Sequence, residues 1–146
     1  MQGYLNNWNK RVALAAAILF AAYFPLAWWL RTSYVSQPGA SGDHVIRLTR
    51  PFSRYGESGS AYIAGNTPFN QFSDTLEVLD RSPVLLYEGN KLLGPAHSIH
   101  DDIAEKGGGR YSHWQDYGVV FSASDGSNPN MNGRVYWLIL PSGWLE

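Results

Sequence analysis

Residues Val12 to Leu30 read VALAAAILFAAYFPLAWWL, nineteen side chains without a charge between Lys10-Arg11 and Arg31. At ~1.5 Å of rise per residue the run makes a helix ~28 Å long, close to the thickness of a bilayer's hydrocarbon core. It reads as a retained membrane anchor. No small-x-small cleavage site follows it, and Trp28 and Trp29 stand where a helix end meets the headgroup layer. Pro25 removes one helical hydrogen bond inside the run, which membrane helices tolerate.

Charge at the two ends of the anchor sets its expected orientation. Lys10, Arg11 and the amino terminus outweigh the lone Arg31, so the N-terminus is expected in the cytoplasm and the remainder in the periplasm, across a bacterial inner membrane. The organisation that follows is a cytoplasmic N-terminus over 1–11, a transmembrane helix over 12–30, a linker over 31–43 and an extracytoplasmic domain over 44–146. The linker assignment rests on TSYVSQPGASGD, rich in Ser, Gly and Pro and without periodicity.

The domain is of the commonest size for one core. With 45% hydrophobic and 14% aromatic residues, 15 Gly and 8 Pro, the composition suits short strands and tight turns. The expected fold is mainly β: a small antiparallel β-sandwich or β-meander with one short helix. Net charge is −1, yet His44 to Glu146 carries eleven acids against eight bases, which disfavours a nucleic-acid partner. There is no cysteine, hence no disulfide, thiolate nucleophile or thiolate zinc site.

Strands are expected over His44–Thr49 and Ser60–Ala64, and Leu76 to Leu79 is apolar at alternate positions. Val84–Tyr87 and Lys91–Leu93 flank Glu88-Gly89-Asn90 as a hairpin. In AHSIHDDIAEKGGG, Ser98 is placed to cap a short helix, Asp101 and Asp102 to lie in an early turn, and Gly107 to Gly109 to end it. Tyr111–Tyr117, Val119–Ser124 and Arg134–Leu140 then read as a three-strand meander. The last of these is apolar on both faces, as suits the middle of a sheet, and its Trp137 is expected in the core.

Three histidines, His97, His100 and His113, lie close together, with His97, His100 and Asp101 at i, i+3 and i+4 of the expected helix. They lack a certain fourth ligand and the HExxH pattern, so polar packing or capping is the expected role, with no metal and no cofactor. The adjacent acids Asp101 and Asp102 diverge on a helix and make no glycosidase pair. No GxSxG elbow is present. The loop DGSNPNMNGR, 125–134, groups Asp125, Asn128, Asn130, Asn132 and Arg134. Beside the ring of Trp114 these form a candidate ligand or partner loop, since amides and Arg bind hydroxyls while an aromatic ring stacks. An Asx-rich hairpin connection closed by Asn132-Gly133 is the reading preferred for the same residues. Trp28, Trp29 and Trp144 are candidate interface residues.

Through LYEGNKLLGPAHSIHDDI, GGGRYSHW and FSASDGSNPNMNGRVY, the stretch Val84 to Tyr136 resembles a short β-rich module found in bacterial proteins that also carry glycosyltransferase or methyltransferase domains. The resemblance implies an envelope or glycan context and no particular activity.

Two functions are therefore expected. The first is a non-catalytic accessory subunit of a larger inner-membrane complex, such as a photosynthetic or respiratory assembly, with lipid and other integral membrane subunits as partners. The second is a membrane-tethered glycan-binding module of the cell envelope.

Overall fold

The computed structural model describes residues 2–33, 36–65 and 67–145. The chain divides between Val35 and Ser36 into two compact units. The first is helix α1, Gln2–Ser33, with Pro25 inside it. Its stretch Asn7–Thr32 is long and apolar enough to cross a membrane. Apolar side chains, among them Leu14, Ile18, Phe20, Phe24 and Leu26, are exposed around its circumference, the pattern of a helix surrounded by lipid or other helices. Phe24 packs edge-on against Phe20 and Tyr23, and the Thr32 hydroxyl donates to the carbonyls of Trp28 and Trp29. The helix begins well before Val12, so most of the stretch expected as a cytoplasmic tail is helical.

The second unit holds two antiparallel four-stranded sheets. One has the order β1 (His44–Arg47), β8 (Tyr136–Leu140), β4 (Leu85–Glu88), β5 (Lys91–Leu92); the other has β2 (Ser53–Arg54), β3 (Tyr62–Ala64), β7 (Gly118–Phe121), β6 (Tyr111–Trp114). With a 32-residue α1 and a seven-residue α2 (His100–Lys106), the chain as a whole is mixed in content, and β-richness belongs to this unit. The sheets share one apolar cluster: Leu86, Leu138 and Leu140 from the first, Val119, Phe121 and Tyr111 from the second, with Phe52 edge-on to Phe121 and Tyr136.

The expected hairpin forms as β4 and β5 around Gly89, whose φ of +59° suits a residue without a Cβ. The doubly apolar β8 does lie mid-sheet, between β1 and β4. The expected three-strand meander does not form: β6 and β7 pair, and the long loop after β7 carries the chain to the other sheet. β8 alternates across that sheet, turning Leu138 and Leu140 inward and Trp137 outward, so Trp137 is half-buried and outside the shared core. Part of the expected linker also packs: a side chain at Gly39 would meet Val45 and Ile139 at 3.1 and 3.4 Å, and Asp43 accepts from the Ala40 and Ser142 N–H groups.

Helix α2 lies on the other face of the second sheet, through fully buried Ile103 against Ala61 and Val120. The approach is close. Ser60 N–H donates to the Ala104 carbonyl at 2.9 Å, and Gly59 has that same carbonyl 2.7 Å from where a Cβ would stand. Ser98 does not cap the helix as expected; Ile99 is the N-cap residue, while the Ser98 hydroxyl donates to the Pro95 carbonyl.

Candidate functional site

Strand β6 sorts the site by its pleat. Tyr111 and His113 turn into the core, while Ser112 and Trp114 face the side that carries α2. Between α2, Trp114 and the loops before them is a cleft of about 360 Å³, within the ~300–1,000 Å³ of small-ligand sites. Tyr55, Trp114 and Tyr117 line it with rings, Asp74, His97, Ser98, His100, Asp101 and Ser112 supply polar groups, and Leu79 and Ile99 are exposed at its edge. Among the described residues no Lys or Arg side chain lines it.

At its base is an Asp–His pair. The Asp74 backbone is tied to β6, its N–H donating to the His113 carbonyl and its own carbonyl accepting from Gln115 N–H. Its side chain is 1% exposed; Oδ1 accepts the Ser82 N–H at 2.8 Å and Oδ2 meets His97 Nδ1 at 2.8 Å. A carboxylate only accepts, so Nδ1 carries a hydrogen, and in the neutral imidazole the lone pair is on Nε2. His97 is 32% exposed, and its Nε2 has no hydrogen-bond partner among the described residues.

His97 has a φ of +53°, the left-handed region that a non-glycine residue occupies at a cost of ~1–3 kcal/mol. Its neighbours hold it there. Ser98 N–H donates to the Tyr111 carbonyl, and Tyr111 N–H to the Pro95 carbonyl. The expected helical face of His97, His100 and Asp101 therefore does not exist, because His97 lies before the helix in a different backbone conformation.

The other two histidines serve other ends. His100 meets Ser112 Oγ through Nε2 at 2.9 Å and packs edge-on with Tyr55, Trp114 and Tyr117. Burial pushes its pKa down, opposed by the charge of Asp101. His113, 1% exposed, has Nδ1 on Ser82 Oγ and Nε2 on Thr67 Oγ1, and burial pushes its pKa down to about 4. Among the described residues no three His, Asp or Glu side chains converge as a metal site would require.

A testable pH dependence follows from His113. The unfolded chain binds its proton near the usual 6.5 and the folded domain only near 4, so between those values the unfolded state holds more protons. Stability from this group is complete above about 6.5 and is lost as the pH falls toward about 4. The thermal midpoint of the wild type should fall across that window, and that of His113→Gln should fall by less, the remainder coming from His100, whose pKa burial also lowers.

The Asn-rich loop has a different design from the cleft. Asn130 brackets the Phe52 backbone, accepting from its N–H at 2.8 Å and donating to its carbonyl at 2.9 Å. Asn128 accepts from Asn130 N–H, and Asn132 donates to Ser127 Oγ and Tyr136 Oη and accepts from Arg134 N–H. Arg134 joins Glu88 and Asp125, holding the Asp125 carboxyl below the usual range, and Arg50 donates to the carbonyls of Pro129 and Arg134. Of the expected loop constellation, only Trp114 lines the cleft. Asn130→Ala should therefore cost the domain about 2 kcal/mol, the loss of two hydrogen bonds to buried backbone, read as a lower chemical-denaturation midpoint.

Of the candidate interface residues, Trp28 and Trp29 are exposed on α1, and in the second unit Trp144 is half-exposed and edge-on to Phe72. Sequence patterns did not single out Asp74, Ser82, Tyr55, Tyr117 or Glu88. Each acquires its role from partners distant in the chain.

A scan of protein-family models, a search of curated proteins and a search of solved structures each find no match to the chain.

Proposed function

We propose that the chain is a membrane-tethered glycan-binding protein of the bacterial cell envelope that takes a small neutral saccharide in the cleft around His97. The observation that carries this reading is the Asp74–His97 pair at the base of a cleft walled by Tyr55, Trp114 and Tyr117. Rings stack on the apolar faces of sugars, while a fixed imidazole lone pair and carboxylates accept from hydroxyls. Asp101 at the wall and the lack of lining cations select against phosphorylated or carboxylated ligands. Under this proposal α1 anchors the chain with its N-terminus in the cytoplasm and the domain in the periplasm.

The test is isothermal titration of the full chain in detergent micelles with a panel of methyl hexosides. Tyr117→Ala and His97→Ala should weaken binding at least tenfold, and Asn132→Ala should leave it unchanged. Equal affinity in wild type and both cleft variants would reject the reading.

A second reading, an accessory subunit of a larger membrane assembly, is favoured by one observation. Leu76, Val78 and Leu79 are 77, 46 and 60% exposed on a single loop, an apolar patch of the kind that marks interfaces. Co-purification in mild detergent tests it: partners lost on Trp28→Ala/Trp29→Ala or Leu76→Asp support this reading, and a chain that runs alone rejects it.

A further inference from the structure

We propose that the cleft is hydrolytic, with His97 as the general base that removes an O-acyl group from the bound saccharide; this rests on the saccharide reading above. Three features of the pair exceed what binding alone requires. The carboxylate on Nδ1 is buried and accepts two hydrogen bonds, which selects, for the neutral imidazole, the tautomer with its lone pair on Nε2. The histidine is held in a conformation unfavourable to it. Its Nε2, without a partner among the described residues, belongs to a ring that lines the cleft.

The lining decides among reactions. Phosphoryl and sulfuryl transfer need cations against the transferred group, and among the described residues no Lys or Arg lines the cleft. Glycosidic cleavage uses two free carboxyl groups; Asp74 is committed to Ser82 and His97, leaving Asp101 alone. Addition of water to an ester carbonyl needs one base and neutral donors for the oxyanion. Tyr55 and Tyr117 line the cleft, and their hydroxyls, which make no hydrogen bond among the described residues, can donate.

In the first step a water oxygen bonds to the acyl carbon while Nε2 takes the proton. The bond from the acyl carbon to the sugar oxygen then breaks, and Nε2 returns the proton to that oxygen. Carboxylic acid and free sugar hydroxyl leave, and the imidazole is as it began. Asp74 is a positioning residue. In Asp74→Asn the amide N–H₂ faces Nδ1, which moves the hydrogen to Nε2 and removes the base.

The experiment uses the full chain in detergent micelles, mono-O-acetyl methyl hexosides as substrates and the unacetylated methyl hexosides as ligands. Acetate release by the wild type should fall at least 100-fold in His97→Gln, whose amide still accepts a hydrogen bond, with affinity for the unacetylated glycoside retained. Asp74→Asn should lower kcat by more than it changes KM, with the histidine ¹⁵N spectrum reporting the exchanged tautomer. Glycoside binding with acetate release no faster than buffer, or full activity in His97→Gln, overturns the hydrolytic proposal and leaves the binding reading standing. Binding of no glycoside in either form rejects both.

Discussion

Ile103→Ala should destabilise the second unit by about 3–5 kcal/mol, the upper part of the range for truncating a fully buried aliphatic side chain. Ile103 is the residue by which α2 docks on the sheet, and the cluster around it is small: Ala61 and Val120, with Tyr55, Ile63 and Ala104 at the edge. A small cluster has little mobile material to refill the void. Tyr55 also lines the cleft, so the damage reaches the site. Denaturation should show a lowered midpoint with unchanged slope, and ligand affinity should fall below that of Ile103→Val, which costs about 1 kcal/mol. A midpoint equal to that of Ile103→Val would mean that α2 contributes nothing to holding the sheet.

Glu88→Ala should cost about 3 kcal/mol. The carboxylate is 7% exposed and accepts from Ser124 N–H, the Ser124 hydroxyl, Arg134 Nη1 and the Tyr136 hydroxyl. Burial alone would raise its pKa, and these donors outweigh burial and lower it. Removing the acceptor leaves several donors facing one void, the costly direction for a buried charged network. Arg134 keeps Asp125 and water, which moderates the loss. Glu88→Gln keeps the shape and one acceptor, and its midpoint should fall between wild type and alanine. Indifference of the thermal midpoint to Glu88→Ala would show that the loop from Ser124 to Arg134 is held by its own turns.

What could be read from the residues was what local chemistry decides. The β4–β5 hairpin follows from a Gly-Asn turn between apolar runs, α2 from Asp101, Asp102 and the glycines beyond it, and the central place of β8 from apolar residues on both its faces. Leu76 to Leu79 alternates yet forms no strand: pairing with β6 stops at the Asp74–Trp114 bridge and the segment beyond it is an exposed turn.

The site was harder for a different reason. Asp74 sits in QFSDTLEVLD without a motif, and its meaning comes from His97, 23 residues on. The Asn-rich loop is the reverse case. Its amides resemble ligand donors until Asn130 is seen to grip Phe52, 78 residues earlier, because composition lists polar groups and cannot say which are already paired. His97, His100 and His113 cluster in sequence, but the β6 pleat and the left-handed turn at His97 send them to three separate partners.

The saccharide reading places the ligand in the cleft around His97. It is tested most directly by titrating methyl hexosides into the full chain in micelles, labelled with ¹⁵N at histidine and tryptophan side chains. Saturable shifts are expected at His97 Nε2 and Trp114 Nε1, with His113 and Trp144 unmoved. Absence of saturable shifts at His97 and Trp114 across the panel would contradict it.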